Sequence, residues 1–161
     1  MATPAIDSDV RLRAGTSGDL DDIMPVMNAA FGDRFGEAWT RSQCAGILPM
    51  TGVSLVVARD LANSEVIGFS LSRMVADESE LLLLAVHPRR HRQGVGARLL
   101  DDFMQRARDQ HLSRVHLEVR DGNPAIEMYR DAGFRPAGRR RNYYRAPDGR
   151  RFDALTFVQE L

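Results

Sequence analysis

Hydrophobic residues follow two spacings along the chain, and each spacing predicts a different element. Alternating apolar and polar residues predict a half-buried strand, and apolar residues three or four positions apart predict a helix with one buried face. The predicted strands cover residues 10–14, 53–59, 66–74, 80–86, 115–119, 134–138 and 153–159. The predicted helices begin at Thr16 or Ser17 and at Thr40, and two more cover 96–110 and 125–132. This order indicates an α/β domain with a mixed sheet and helices on its faces.

Residues 80–86 give the strongest apolar signal, because Leu81 to Leu84 are four consecutive leucines. Such a run predicts a central strand that is buried on both faces. With 161 residues, of which 43% are hydrophobic, the chain is long enough for one domain with a substantial core. We therefore predict one domain over 10–161, preceded by a flexible N-terminal segment over 1–9.

The basic residues are unusual in kind and in placement. All 22 are arginine, which excludes chemistry that needs lysine, such as a Walker A phosphate loop or a pyridoxal Schiff base. The formal net charge is zero, but residues 1–80 hold 6 Arg against 12 Asp and Glu, and residues 81–161 hold 16 Arg against 10. The basic second half indicates that it binds an anion.

The sequence also bears on cellular location. Cys44 is the one cysteine, so no disulfide can form within the chain, as is usual in a reducing cytoplasm. Residues 1–10 lack an apolar signal core, and the strongly apolar run of residues 81–86 is too short to span a bilayer. We expect a cytoplasmic protein with no membrane role.

The segment of residues 84–100, LAVHPRRHRQGVGARLL, has the features of an anion site. A buried strand ends at Val86, and an arginine-rich loop leads through Gly94 and Gly96 into an amphipathic helix. Glycines let the backbone approach a ligand, and the N–H groups and dipole of a helix start attract a pyrophosphate. Two glycines alone also suit an ordinary loop, and Leu99 stands where a Rossmann fingerprint needs its third glycine.

The segment of residues 115–134, VHLEVRDGNPAIEMYRDAGF, offers acid and base groups. Strand alternation places His116 and Glu118 on one face of an interior strand. Either side chain is a candidate general base, and Tyr129 on the following helix can donate a proton. Ordinary structural roles fit as well, namely an ion pair with an arginine for Glu118 and core packing for Tyr129.

Together the two segments resemble the Gcn5-related N-acetyltransferase family. HRQGVG at residues 91–96 is similar to its coenzyme A motif, Arg/Gln-x-x-Gly-x-Gly/Ala, with His91 where Arg or Gln is usual. Four further segments resemble the bacterial ribosomal-protein N-terminal alanine acetyltransferases. They are LEVR at 117–120, MYRDAGF at 128–134, RRNYY at 140–144 and DGRRFDAL at 148–155. The resemblance covers roughly residues 10–161. It implies a single-domain fold whose mixed, mostly antiparallel twisted sheet has about six to seven strands and about four flanking helices.

The resemblance also implies roles for individual residues. Glu118 would be the general base and Tyr129 the general acid for the departing thiolate, in a direct transfer without a covalent enzyme intermediate. The implied coenzyme-binding residues are Leu84, Ala85 and Val86 for the pantetheine arm, Arg92, Gln93, Gly94, Val95, Gly96 and Ala97 for the pyrophosphate, and Asn123 as a further contact. Asn123 stands six residues before Tyr129, whereas the family usually places its asparagine seven before, where Gly122 lies.

The resemblance implies an acetyl-CoA-dependent N-acetyltransferase without a metal, a monomer or homodimer that modifies the N-terminal α-amine of a protein, a ribosomal protein in particular. A small amine, such as an amino acid, a polyamine or an antibiotic, is the alternative acceptor. An alternative of another class is an RNA-binding module that uses the arginines and tyrosines of residues 139–151. No specific nucleic acid is expected as a partner of the enzyme.

Overall fold

The computed structural model describes residues 9–161. The flexible segment predicted for residues 1–9 lies, except for Asp9, outside the described residues, and the domain start at residue 10 stays a prediction. Within 9–161 no helix is both long enough and apolar enough to cross a membrane.

One seven-stranded sheet and four α-helices form the described part of the chain. Strands β1 to β7 are Val10–Ala14, Val53–Asp60, Val66–Val75, Glu78–Val86, Arg114–Arg120, Arg135–Arg145 and Arg151–Glu160. Helices α1 to α4 are Leu20–Phe31, Arg41–Ile47, Val95–Asp109 and Ile126–Asp131. The strand order is β1-β2-β3-β4-β5-β7-β6, and every neighbouring pair is antiparallel except β4 and β5. The predicted α/β fold with a mixed, mostly antiparallel sheet is therefore confirmed.

Local sequence signals explain how the helices begin and end. The Thr40 hydroxyl accepts a hydrogen bond from the Gln43 N–H, and the Gln43 side chain accepts one from the Thr40 N–H, which is the predicted capping box of α2. Thr16 and Asp19 form the same kind of box at a short 3-10 turn that leads into α1. Gly133 has a φ of +99° just after α4, as the predicted helix stop requires.

Helices cover both faces of the sheet, and the core divides accordingly. Met27 of α1 packs with Phe69 and Leu83 on one face, whereas Phe103 of α3 packs with Leu81 on the other. β4 therefore contributes leucines to both halves of the core. Leu81 and Leu83 are buried, whereas Leu82 and Leu84 are half-buried, so the predicted burial of this central strand on both faces is only partly realised.

The closing hairpin is longer than the sequence predicted. The predicted strands covered 134–138 and 153–159, whereas β6 spans Arg135–Arg145 and β7 spans Arg151–Glu160. β6 is an edge strand whose residues are nearly all exposed. A strand exposed on both faces needs no alternation of apolar and polar residues, so periodicity could not reveal its length.

Candidate active site

The sheet opens at its centre between β4 and β5. These strands pair with each other only over residues 78–81 of β4 and 114–117 of β5. Beyond that point β4 stays paired with β3, and β5 stays paired with β7. Residues 82–86 and 118–120 therefore line the two sides of a cleft within the sheet.

β4 carries one extra residue where this cleft begins. Leu71 and Ser72 of β3 lie opposite Leu83 and Leu81, so Leu82 has no partner of its own on β3. A bulge of this kind bends its strand and increases the local twist. The bulge therefore contributes to the divergence of β4 from β5.

Glu118 is the first residue of β5 beyond the paired region. Its side chain is only 10% exposed, and both carboxylate oxygens accept hydrogen bonds. Thr156 Oγ1 on β7 donates to Oε2 at 2.8 Å, and Arg140 Nε on β6 donates to Oε1 at 2.8 Å. The arginine ion pair that the sequence allowed is thus present. A carboxylate held in one orientation beside a cleft is also well placed to accept a proton.

Two phenols belong to this part of the molecule, the buried Tyr129 and the half-buried Tyr144. Tyr129 of α4 packs edge-to-face on Phe134, and the Tyr144 hydroxyl of β6 donates a hydrogen bond to the Glu118 carbonyl oxygen at 3.3 Å. Burial, followed by the charge of Glu37, raises the pKa of Tyr129 and of Tyr144 above the ordinary phenol value. Both hydroxyls therefore keep their protons at neutral pH and can act as donors.

Glu37 is a second buried carboxylate, and it lies in the segment between α1 and α2. Its side chain is 9% exposed, Oε1 lies 3.2 Å from Arg120 Nε, and Oε2 accepts a hydrogen bond from Asn123 Nδ2 at 3.0 Å. The Arg120 guanidinium also lies over the Phe35 ring, 3.6 Å from its centroid. These contacts attach the segment between α1 and α2 to the end of β5 and the start of α4.

Asn123 is bound on both ends of its side-chain amide. Besides the bond from Nδ2 to Glu37, its Oδ1 accepts a hydrogen bond from the Ala125 N–H at 2.9 Å. The side chain therefore shapes the turn into α4. Its contact with the coenzyme stays a prediction.

His116, the alternative base, lies where β4 and β5 are still paired. Its ring nitrogens are 3.7 Å from Glu80 Oε2 and 3.9 Å from Glu78 Oε2. Interaction with the Glu80 carboxylate is the main cause that raises the pKa of His116, and Glu78 and Glu118 add to it. Because the sheet is closed at the level of His116, the geometry favours Glu118 as the base.

The loop after β4 is fixed by side-chain hydrogen bonds. His91 Nε2 lies 3.0 Å from the Val86 carbonyl oxygen, and because a carbonyl can only accept, this nitrogen carries the proton. Arg90 donates from Nη1 to Asp60 Oδ2 at 2.6 Å and from Nε to Gln93 Oε1 at 2.7 Å. His91 therefore stabilises the loop at the position where the family motif has Arg or Gln.

The loop enters α3 through two residues in the left-handed region, Arg92 with φ +61° and Gly94 with φ +81°. No side chain caps α3, so the N–H groups of residues 95–97 have no partner within the helix. A Cβ on Gly96 would lie 3.4 Å from Met128 Sδ, so only a small residue lets the helix start approach α4 this closely. This arrangement suits a pyrophosphate.

The residues predicted to bind the coenzyme thus lie along one side of the cleft. Leu84, Ala85 and Val86 end β4 where that strand no longer pairs with β5, and the loop of residues 92–97 follows directly. Ala85 is buried, whereas Leu84 and Val86 are half-buried. Their part in coenzyme binding stays a prediction.

The structure also bears on a cysteine nucleophile and on a metal site. Cys44 is buried, and burial raises the pKa of its thiol, which makes it a poor nucleophile. Among residues 9–161, no three His, Cys, Asp or Glu side chains are grouped so that they could hold a metal ion.

Two residues around the site, Glu37 and Thr156, were not singled out from the sequence. Arg140 and Tyr144 belong to RRNYY, which contributed to the resemblance and to the RNA-binding alternative but received no role in acetyl transfer. Thr156 could be found only by pairing β7 with β5, where it lies opposite Glu118. No motif or residue spacing around Glu37 indicated a functional role for it.

Comparisons with known proteins agree with this geometry. The model of the acetyltransferase (GNAT) family matches residues 20–134. A ribosomal protein bS18-alanine N-acetyltransferase of Escherichia coli (strain K12) is 38% identical over 89 residues, which are 55% of this chain and 60% of that protein. A mycothiol acetyltransferase of Clavibacter sepedonicus is 32% identical over 152 residues, which are 85% of this chain and 46% of that protein.

The fold is also that of a solved relative. The crystal structure of the ribosomal-protein-S18-alanine N-acetyltransferase from Escherichia coli matches with a TM-score of 0.83 and 27% identity, over 94% of this chain and 93% of that one. The family model covers most of this chain, including the loop after β4, Glu118 and Tyr129. The chain therefore belongs to the acetyltransferase (GNAT) family.

Proposed function

We propose that this chain transfers the acetyl group of acetyl-CoA to the N-terminal α-amine of a protein, with a ribosomal protein as the acceptor. The cleft between β4 and β5 carries the proposal, because a loop suited to a pyrophosphate follows one strand and Glu118 lies on the other. The relatives named as bS18-alanine N-acetyltransferases support this choice of acceptor.

The loop after β4 would hold the pyrophosphate of acetyl-CoA. The N–H groups and dipole of the α3 start favour an anion, and Arg92 adds a positive charge, whereas Arg90 is already paired with Asp60. The β4 edge at residues 84–86 would hydrogen-bond the pantetheine arm. Because His91 already binds the Val86 carbonyl, the arm would use the remaining backbone groups there. The bound coenzyme supplies the activated acetyl group.

Acetyl transfer exchanges one covalent bond and moves protons at both ends. Glu118 takes a proton from the acceptor ammonium, the amine then forms the new C–N bond, and the C–S bond breaks. Tyr129 gives its proton to the departing thiolate. The nitrogen loses a second proton, which replaces the one that Tyr129 has given. Glu118 on β5 and Tyr129 on α4 would thus act on opposite ends of the reacting group.

The acceptor would enter beside Glu37 and Tyr144. The Tyr144 hydroxyl lies within the electrostatic influence of both Glu37 and Glu118. Glu37 is paired with Arg120 and Glu118 with Arg140, so a cationic amine is favoured here only where it replaces an arginine. The choice of an α-amine as the acceptor therefore rests on the named relatives and not on this charge pattern.

Acetylation of defined peptides tests the proposal. Peptides that begin with Ala or Ser are incubated with acetyl-CoA, and mass spectrometry is expected to locate the acetyl group on the N-terminal amine. Glu118→Gln is expected to lower kcat by about 10²- to 10⁴-fold with acetyl-CoA affinity unchanged, while His116→Gln stays active. No transfer to any peptide would contradict the protein acceptor, and full turnover of Glu118→Gln would contradict its role as the base.

A small amine is the second candidate acceptor. The match to a mycothiol acetyltransferase over 85% of this chain favours it. The two candidates share the coenzyme side and differ only on the acceptor side, near Glu37 and Tyr144. Ratios of kcat/KM for the peptides and for a panel of amino acids, polyamines and antibiotic amines, measured in competition, separate them.

The RNA-binding alternative has less support. Three arginines of the closing hairpin, Arg139, Arg140 and Arg150, already form ion pairs with carboxylates of this chain. Weak RNA binding with a shallow salt dependence, beside tight binding of coenzyme A, would eliminate it. The cytoplasmic location and the monomeric or homodimeric state stay predictions.

A further inference from the structure

One contact at the site has no part in the proposed transfer. Arg140 reaches from the edge strand β6 and places Nε 2.8 Å from Glu118 Oε1, while Thr156 holds Oε2. The Arg140 side chain is 63% exposed, whereas that of Glu118 is 10% exposed. The oxygen that would accept the proton is therefore occupied by a cation whose other side faces solvent.

We propose that Arg140 keeps Glu118 idle until a cationic acceptor displaces it, so that bound acetyl-CoA is protected from hydrolysis. The inference rests on the proposed function, because it takes Glu118 as the general base. Arg140 acts through Glu118 and touches no reacting atom, so it is a positioning residue.

The reaction that Arg140 would suppress uses the same groups as acetyl transfer. If Oε1 were free, Glu118 could take a proton from water while the water oxygen forms a bond to the acetyl carbon. The C–S bond would break, Tyr129 would protonate the thiolate, and the acetic acid formed would return a proton to Tyr129, which yields acetate and free coenzyme A. With the Arg140 guanidinium on Oε1, a neutral water molecule gains too little by replacing it.

An ammonium group can make that replacement because it brings a charge of its own. The ammonium replaces one charge-assisted hydrogen bond to Oε1 by another, and water solvates the released Arg140 side chain, which is already largely exposed. Arg140 also has a second place to go: its Cζ already lies 5.8 Å from the centroid of the Tyr143 ring, and Tyr143 is half exposed. A guanidinium that leaves Glu118 can stack there. Acceptor binding is thus an exchange of cations on one carboxylate oxygen.

Acetyl-CoA hydrolysis without any acceptor tests the inference. The full chain is incubated with acetyl-CoA alone, and free thiol is measured over time. Arg140→Gln is expected to raise this rate about two- to fivefold, the range that an exposed ion pair supports, and to lower the acceptor KM by a similar factor. Arg141→Gln, which removes the neighbouring exposed arginine, is the matched control and should change neither quantity. Arg140→Lys keeps a cation near Oε1 and should keep hydrolysis low.

Two further measurements distinguish this role from a structural one. Ethylguanidinium added to Arg140→Gln should lower its hydrolysis rate again and compete with the acceptor, because it can reoccupy Oε1. The double variant Glu118→Gln/Arg140→Gln should lose the extra hydrolysis. Unchanged or lower hydrolysis in Arg140→Gln, while Glu118→Gln abolishes transfer, would overturn the inference and leave the proposed function intact. Full transfer by Glu118→Gln would instead remove the base on which both rest.

Discussion

Glu118 and Thr156 are direct partners in the antiparallel ladder between β5 and β7, and Thr156 Oγ1 donates a 2.8 Å hydrogen bond to Glu118 Oε2. The bond joins two neighbouring strands on the face where the cleft opens. It fixes the rotation of the carboxylate about the last bond of the side chain, and Oε1 then faces Arg140. A proton acceptor that is already held in its reactive orientation needs no free energy of reorganisation when the reaction begins.

Thr156→Val should slow acetyl transfer through this orientation alone. The two side chains have nearly the same shape, but valine cannot donate to Glu118. Hydrogen bonds to charged groups contribute about 1.5–3 kcal/mol, and the structure around them relaxes in part, so we expect kcat to fall about tenfold. Steady-state kinetics with a peptide acceptor measure the effect, and Thr156→Ser, which keeps the hydroxyl, should retain most of the activity. Equal kcat for the valine and serine variants would contradict the role.

Tyr129→Phe should slow the departure of the thiolate. Burial raises the pKa of Tyr129, so the phenol is fully protonated at neutral pH and ready to donate. Loss of a general acid lowers rates by about 10²-fold or more, and we expect this loss in kcat with an unchanged Kd for acetyl-CoA. Rapid-quench measurement of a single turnover shows whether the chemical step is affected. An unchanged single-turnover rate would mean that solvent protonates the thiolate.

Periodicity could predict most of this fold because most elements bury one face. The run of leucines at 81–84 and the apolar stripe of α3 gave the centre of the sheet and its main covering helix. The full length of β6 was not predicted, because an exposed edge strand rich in arginine buries neither face. Its true length brought Arg140 and Tyr144 within reach of Glu118.

Only those site residues that belong to short, continuous sequence motifs could be predicted. Glu118, Tyr129 and the loop after β4 belong to short motifs that are continuous in sequence. Glu37 instead meets Arg120 and Asn123, which lie 83 and 86 positions further along the chain. Contacts of that separation depend on how the sheet is assembled, and no spacing within one segment encodes them.

The carboxylates around His116 should make the contribution of this residue to folding stability depend on pH. The pKa of His116 is raised in the folded protein, chiefly by Glu80, so the folded state binds this proton more tightly than the unfolded state. The stabilisation is therefore complete below the ordinary histidine pKa of about 6.5 and is lost as the pH rises through the higher folded-state pKa. Replacing His116 by Gln should thus lower Tm more at about pH 5.5 than at about pH 8.5. An equal loss of Tm at both values would contradict this account.

Gly36→Ala should damage the acceptor side of the site and leave the coenzyme side intact. Gly36 has a φ of +73°, and a Cβ at this position would collide with the carbonyl of Arg145 on β6. The neighbouring Phe35 and Glu37 both contact Arg120, so a shift of this segment would disturb the attachment of Glu37 to β5. Glu37 also binds Asn123, a predicted coenzyme contact, but the Asn123 side chain keeps its separate hydrogen bond from the Ala125 N–H.

We therefore expect Gly36→Ala to raise the acceptor KM while the Kd for acetyl-CoA stays the same. Left-handed backbone alone costs a non-glycine residue about 1–2 kcal/mol, so Tm should fall as well. Gly46→Ala is the matched control, because a Cβ there meets nothing within 4 Å and alanine favours the helix α2. It should keep both constants and not lower Tm. If Gly36→Ala weakened acetyl-CoA binding as much as acceptor binding, the segment between α1 and α2 would not belong to the acceptor side alone.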